Sequence, residues 1–150
     1  MVVRLRAVEP DDLQVFYEHQ QDEEAAAMAA FAPRDEEAFT AHWQRILRDD
    51  RCTARTIVAD DEVVGNVVSW WTDGGDRLVG YWIGKPFWGR GIATAALEAY
   101  LAEEETRPLR AHVSDRNRGS IRVLEKCGFR LVSREDGGDG VVDLVYELRG

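Results

Sequence analysis

Several things are scarce in this sequence, and each scarcity removes a class of protein. The two cysteines among 150 residues, Cys52 and Cys127, stand far apart and in no metal-type spacing, which argues against a disulfide framework and a zinc site. They read as reduced structural thiols, with Cys127 a small hydrophobe at a helix end. No window approaches the apolar length that crosses a bilayer. The N-terminal "MVVRLRAVEP" alternates charge and hydrophobe, where a leader would show a basic segment followed by an apolar run. The expectation is a cytoplasmic protein without a membrane partner. Basic residues are outnumbered, 19 Lys and Arg against 28 Asp and Glu for a net charge of -9, and phosphate backbones need a basic footprint, so nucleic acid is not the expected partner. Nucleotide signatures are missing too: there is no G-x-x-x-x-G-K-[ST], and no full G-x-G-x-x-G opens the first β-α unit. No repeat, linker or low-complexity stretch interrupts the chain. With 45% apolar residues it is long enough for one core and too short for two, so residues 1–150 are expected to form a single domain.

What is present follows two periods. "VVRLRAV" alternates as a strand, and Glu9-Pro10-Asp11-Asp12 has the acids of a helix start before Leu13, Phe16 and Tyr17. An alanine-rich run to Ala30 reads as helix or loop, Pro33 breaks it, and Phe39, Trp43, Ile46 and Leu47 recur at helical spacing. From Thr53 the period drops to two. "TARTIVAD", "EVVGNVVSWW" and "RLVGYWIG" form an antiparallel meander, with Trp70 on one face and Trp71 on the other. A helix then carries Ile92, Ala96, Leu97, Tyr100 and Leu101, followed by the short strand "LRAHVS". A second helix from about Asn117 to Cys127 buries Ile121, Val123 and Leu124 and ends at Gly128 in a left-handed cap. "FRLVSRE" and "VVDLVYEL" close as a hairpin. The fold expected from the pattern is α/β with a mixed sheet.

The stretch "GYWIGKPFWGRGIATAAL" joins the meander to the first of these helices. A strand giving way to Gly89 and Gly91 and then to a helix builds an anion site, because the first helical turn has unpaired N–H groups and the positive end of the macrodipole. Glycine there allows positive φ and keeps bulk away from the backbone. Pro86 cannot donate to a ladder, so the strand is expected to lose its neighbour there. Charge is distributed to match: acids crowd the first half (Asp11, Asp12, Asp22, Glu23, Glu24, Asp35, Glu36, Glu37), cations the second (Lys85, Arg90, Arg116, Arg118, Arg122, Lys126). That suits an anionic ligand on one side and a cationic substrate on the other.

Two motifs, "PFWGRGIATAAL" and "NRGSIRVLEKCGF", in this order after strands of this pattern, resemble the GNAT superfamily of acetyl-CoA-dependent N-acetyltransferases over nearly the whole chain. The wording with Asn117 and Ser120 is closest to the ribosomal-protein N-terminal (alanine/serine) acetyltransferase branch. The resemblance implies a mostly antiparallel sheet of about six to seven strands, splayed between the fourth and fifth and flanked by about four helices. It implies acetyl-CoA as co-substrate and no metal. Backbone N–H groups from Trp88 through Gly89, Arg90, Gly91, Ile92 and Ala93 to Thr94 would cradle the pyrophosphate, and the Thr94 hydroxyl would add a bond. Tyr81, Trp82, Ile83 and Gly84 would pair with the pantetheine arm. Asn117 would bond that arm from the other side, or serve as the N-cap of its own helix. Arg90, Arg118 and Lys126 would steer phosphates. Relatives form dimers by sheet edge or helices, and a homodimer stays open here.

The chemistry implied is attack of a neutral amine on a thioester. The backbone N–H of Ile83 is the expected oxyanion donor, and Ser120 is either the acid for the leaving thiolate or a packing residue. Three departures stand out. Pro86 replaces a usual Gln or Arg, Leu124 stands where many relatives have a tyrosine acid, and Leu78 or Val79 stands where this branch often has a glutamate. A lysine amine of pKa about 10.4 costs roughly 4 kcal/mol to deprotonate near neutrality, an α-amine only about 1. Without a strong base the expected acceptor is therefore a peptide N-terminus, an amino acid or another low-pKa amine. His19, His42 and His112 are further bases acting through water. The first two helices and their loop would wall the acceptor pocket. A rival reading keeps the coenzyme site but little turnover, as a sensor or interaction domain, and succinyl-CoA is a rival donor.

Overall fold

A computed structural model describes residues 1–28 and 34–150; Ala30 and Pro33, where the sequence suggested a helix or loop and its break, lie outside them. The chain runs β1 (Val3–Arg6), α1 (Asp12–Gln20), α2 (Glu23–Met28), α3 (Glu36–Arg48), β2 (Thr53–Ala59), β3 (Glu62–Trp71) and β4 (Arg77–Ile83). It continues through a 3₁₀ turn (Lys85–Phe87), α4 (Ile92–Glu103), β5 (Leu109–Ser114), α5 (Arg118–Lys126), β6 (Arg130–Asp136) and β7 (Val142–Leu148). The seven strands form one sheet in the order β1-β2-β3-β4-β5-β7-β6. All neighbours are antiparallel except β4 and β5.

The meander follows from its turns and alternation. Asp60 and Asp61 link β2 to β3 with φ of 48° and 67°, the left-handed pair that a two-residue hairpin needs and that Asp tolerates. On one face α4 and α5 bury Val79, Ile83, Ile92, Leu97, Leu109 and Leu124. On the other, α1 and α3 bury Phe16, Phe39 and Trp43 against Val68, with Trp70 packed beside them. Trp71 points away, 44% exposed, with the Arg77 guanidinium 5.2 Å from its ring centre, so the two tryptophans divide between faces as period two requires. Five helices are described where about four were expected. The first helical stretch ends at Gln20, and Asp22 starts a new one by accepting from the Ala25 N–H at 2.9 Å.

The parallel pair β4–β5 decides the shape of the site. It is joined only at Arg77 opposite Leu109 and Leu78 opposite Arg110; beyond these the strands diverge. The expectation that Pro86 opens this gap is corrected: the ladder has already stopped after Leu78, and Pro86 lies in the 3₁₀ turn, where its missing N–H has no ladder to break. A buried polar cluster holds the closed end. Arg77 and Glu104, 6% and 7% exposed, pair at 2.8 Å, and Ser69 donates to the same carboxylate oxygen at 2.6 Å. Tyr100 donates to the Thr53 carbonyl at 2.8 Å and its oxygen lies against that of Ser69, tying α4 to β2 and β3.

Candidate active site

In an antiparallel pair, alternate residues turn both backbone groups toward the partner strand and the rest turn them away. The Gly84 N–H donates to the Val64 carbonyl at 2.9 Å, and the register runs Ile83 opposite Gly65 and Trp82 opposite Asn66. Trp82 and the Gly84 N–H are therefore committed to β3, the Gly84 carbonyl accepts from the Phe87 N–H at 2.9 Å, and Ile83, Tyr81 and Val79 direct their backbone groups into the gap beside β5. This sorts the expected strand contacts. Ile83 has an N–H aimed into the cleft, as the oxyanion role requires, whereas Trp82 and Gly84 have no backbone group left for a ligand strand. The Ile83 carbonyl already accepts from the Trp88 indole at 2.8 Å, a link the sequence did not suggest.

At the mouth of the gap stands the N-terminus of α4. Gly91 is its N-cap with φ 76°, and Gly89 before it has φ 78°. A Cβ at either glycine would meet no atom within 4 Å, so the glycines answer a backbone need, and the space in front of them is open. Asp35 caps α3 and Asn117 caps α5, but α4 has no side-chain cap. Among the described residues the N–H groups of Ile92, Ala93 and Thr94 have no partner, and the helical ladder begins only at Ala95, which donates to Gly91 at 3.1 Å. The Trp88 N–H is not part of this cradle, because it donates to Lys85 at 3.1 Å.

These parts line one cleft of about 710 Å³. Trp82, Ile83, Trp88, Gly89, Gly91 and the first turn of α4 form one wall, and Asn117 and Ser120 of α5 another. Arg116, Arg118, Arg122 and Lys126 line it as well, a cationic rim for a polyanion, of which Arg116 and Arg122 were not singled out as phosphate contacts by the sequence. Gly84 and Arg90 are not on the lining. A Cβ on Gly84 would come within 2.6 Å of the His19 ring, and the Arg90 guanidinium lies 5.9 Å from the Phe87 ring centre. Asn117 makes the cap that its residue type allows, accepting from the Ser120 N–H at 3.1 Å, and its amide nitrogen remains for the cleft.

The proton-handling groups are few. Tyr81, on the strand wall, and Ser120 share a hydrogen bond of 2.6 Å across the gap. Burial pushes the Tyr81 phenol up to about 12 despite the Ser120 bond. Leu124 is core at 1% exposure, and Val79 at 3%, so neither position offers a polar group to the cleft. Burial lowers the pKa of His19, opposed by Glu18 and Glu62, and leaves its Nδ1 without a partner; burial, Arg34 and Arg45 lower that of His42. His112 pairs with Asp143 at 2.6 Å on β5 and β7, and none of the three imidazoles lines the cleft. Burial pushes the Cys127 thiol up to about 11, in keeping with a structural thiol. The acids expected around the acceptor are partly engaged elsewhere: Asp22 is a cap and Glu24 pairs with Lys85, so α2 turns Ala25 and Met28 to the cleft.

A splayed parallel pair with an uncapped helix terminus and a cationic rim at its mouth has the shape and charge to take an extended, phosphate-bearing ligand between two strands. The chain matches the acetyltransferase (GNAT) domain family over residues 3–130 and belongs to that family. Solved structures agree in fold. RimL, the ribosomal L7/L12 α-N-protein acetyltransferase in complex with coenzyme A, superposes with a TM-score of 0.82 at 16% identity, covering 99% of this chain and 94% of that one. The spermidine N-acetyltransferase from Vibrio cholerae, in complex with CoA and spermine, gives 0.84 at 15%, covering 98% and 95%. An acetyltransferase from Thermus thermophilus gives 0.78 at 24%, covering 99% and 98%. A search of curated proteins by sequence finds no match. Among the described residues no helix is long and apolar enough to cross a membrane.

Proposed function

We propose that this protein moves an acetyl group from acetyl-CoA to a primary amine by direct attack of the amine. The observation that carries the reading is the coincidence, in one cleft, of the uncapped α4 terminus and the inward Ile83 N–H. Acetyl-CoA supplies a thioester whose sulfur leaves as a thiolate. The N–H groups of Gly89 to Thr94 and the cations Arg116, Arg118, Arg122 and Lys126 hold its phosphates. Asn117 and the inward-facing groups of Tyr81 and Ile83 hold the arm. The Ile83 N–H donates to the carbonyl oxygen, which gains charge as nitrogen bonds to carbon. Ser120 donates a hydrogen bond to the leaving sulfur.

Because no carboxylate stands at Leu78 or Val79, the amine must arrive largely deprotonated. This favours an α-amine, a peptide N-terminus or amino acid, or another low-pKa amine; the net charge of -9 favours acceptors carrying positive charge elsewhere. Isothermal titration with acetyl-CoA, followed by thiol release with spermidine, free amino acids and peptides beginning with alanine or serine, tests the proposal. Binding with release from one of these acceptors is expected. Absence of binding at high micromolar coenzyme would overturn the whole reading, and binding without release from any acceptor would leave a coenzyme-binding domain.

A further inference from the structure

Resting on the coenzyme reading above, we propose that Tyr81 is a positioning residue that fixes the Ser120 hydroxyl as a hydrogen-bond donor to the sulfur in the cleft. The two residues lie 39 positions apart and belong to opposite walls of the gap, β4 and α5. Their oxygens are 2.6 Å apart, and both residues line the cleft. The Tyr81 oxygen also lies 3.3 Å from the Ser120 carbonyl, a longer contact, so the single phenol hydrogen has both acceptors on one residue and the shorter contact is to the hydroxyl. Ser120 is fixed in turn, its N–H tied to Asn117 at 3.1 Å.

Direction follows from acid strength. A phenol is a stronger acid than an alkyl alcohol, so Tyr81 donates and Ser120 accepts. That leaves the Ser120 hydrogen free to turn to the cleft. Burial holds the phenol protonated across the working range, its pKa about 12. The same fact limits the role of the pair. A thiol ionises near 8.5, so a thiolate does not take a proton from this phenol. In the transfer, the C–N bond forms and the C–S bond breaks with its electron pair on sulfur. The attacking nitrogen sheds the proton that balances the one sulfur finally gains through water, while Ser120 and Tyr81 keep theirs. The pair stabilises the thiolate by hydrogen bonding, and no hydroxyl at position 124 duplicates it, since Leu124 is core.

The consequence is measurable on the coenzyme product alone, without an acceptor. The ultraviolet absorbance of the thiolate is followed against pH for coenzyme A bound to the protein, with desulfo-coenzyme A as the blank for protein groups. Bound to the unaltered protein, the thiol is expected to ionise about one to two pH units below free coenzyme, the size of one hydrogen bond to a charge. Tyr81→Phe and Ser120→Ala should each return it to near the free value. The double variant should go no further, and the affinity for desulfo-coenzyme A should be the same in all four proteins. A depressed ionisation that survives Tyr81→Phe, a normal ionisation in the unaltered protein, or a loss confined to desulfo-coenzyme affinity would overturn the assignment. Failure of the unaltered protein to bind either coenzyme would instead sink the underlying function.

Discussion

Replacing Gly91 by valine tests the cradle itself, because the structure separates what the change costs in folding from what it costs in binding. Gly91 has φ 76°, and no atom lies within 4 Å of where its Cβ would be. Folding therefore loses only the left-handed penalty, about 1–2 kcal/mol for an ordinary side chain and somewhat more for a β-branched one. Against a typical stability of about 5–15 kcal/mol the variant still folds, melting roughly 3–8 °C lower. Binding loses more. Gly91 lines the cleft beside Ile92, Ala93 and Thr94, and a Cβ there enters open space, so the valine methyls are expected to take up room that the phosphates need. Displacing two charge-assisted hydrogen bonds of about 1.5–3 kcal/mol each weakens coenzyme affinity by roughly 100-fold or more. Gly91→Ala has a similar backbone cost with far less bulk and should keep most of the affinity. Titration calorimetry with coenzyme A and thermal melts of all three proteins decide the matter. A folded Gly91→Val with unchanged affinity would refute the placement of the phosphates on α4.

Two further tests address the frame and the second wall. Glu104→Ala leaves Arg77 charged, 6% exposed and unpaired at the closed end of the gap, a loss of about 3–5 kcal/mol readable by urea unfolding at neutral pH. Burial pushes the Glu104 carboxyl up, but hydrogen bonds from Ser69 and Arg77 outweigh it and the net shift is downward. Its stabilisation is therefore complete above the unfolded value, near 4.3, and fades as pH falls through the lower folded value. The variant should show a flatter decline over that acidic window, and an equal decline would show that the pair does not govern acid stability. Asn117→Ala removes a cap worth about 1 kcal/mol, whereas Asn117→Asp keeps an oxygen for the Ser120 N–H and lacks the amide donor. If both lose coenzyme affinity and only the alanine variant loses melting temperature, Asn117 acts as cap and ligand at once; if the aspartate variant binds normally, it is a cap alone.

Local chemistry made much of the fold readable. Gly128 with φ 93° ended α5 as a left-handed cap, and Gly89 and Gly91 marked a turn that only glycine enters freely. Each is a backbone requirement met by residue type at that position. The break between α1 and α2 was also local, an Asp before two glutamates capping Ala25, yet the surrounding alanines masked it. The features that escaped sequence reading are tertiary. Nothing near Tyr81 specifies a serine 39 residues on, and nothing near Trp88 says that its indole will lie on the Ile83 carbonyl. The start of the splay at Leu78 was displaced in the reading to Pro86, because proline is visible in a sequence whereas the departure of a neighbouring strand is not.

The assignment of Ile83 over Trp82 as the inward donor illustrates the limit most sharply. Both belong to the same strand and both were expected to meet the ligand. What separates them is parity, fixed by the bond from Gly84 to Val64 and carried along β3 and β4 two residues at a time. A slip of one residue in that ladder would turn the Ile83 amide to β3 and present Trp82 to the gap, and it would also exchange Tyr81 for Gly80 or Trp82 opposite Ser120. The buried Val79 and Ile83 on one face and the packing of the Trp70 ring on Gly80 on the other hold the register against such a slip. The catalytic geometry proposed here is thus maintained by apolar packing well away from the reacting atoms, and substitutions that loosen that packing should lower turnover before they unfold the protein.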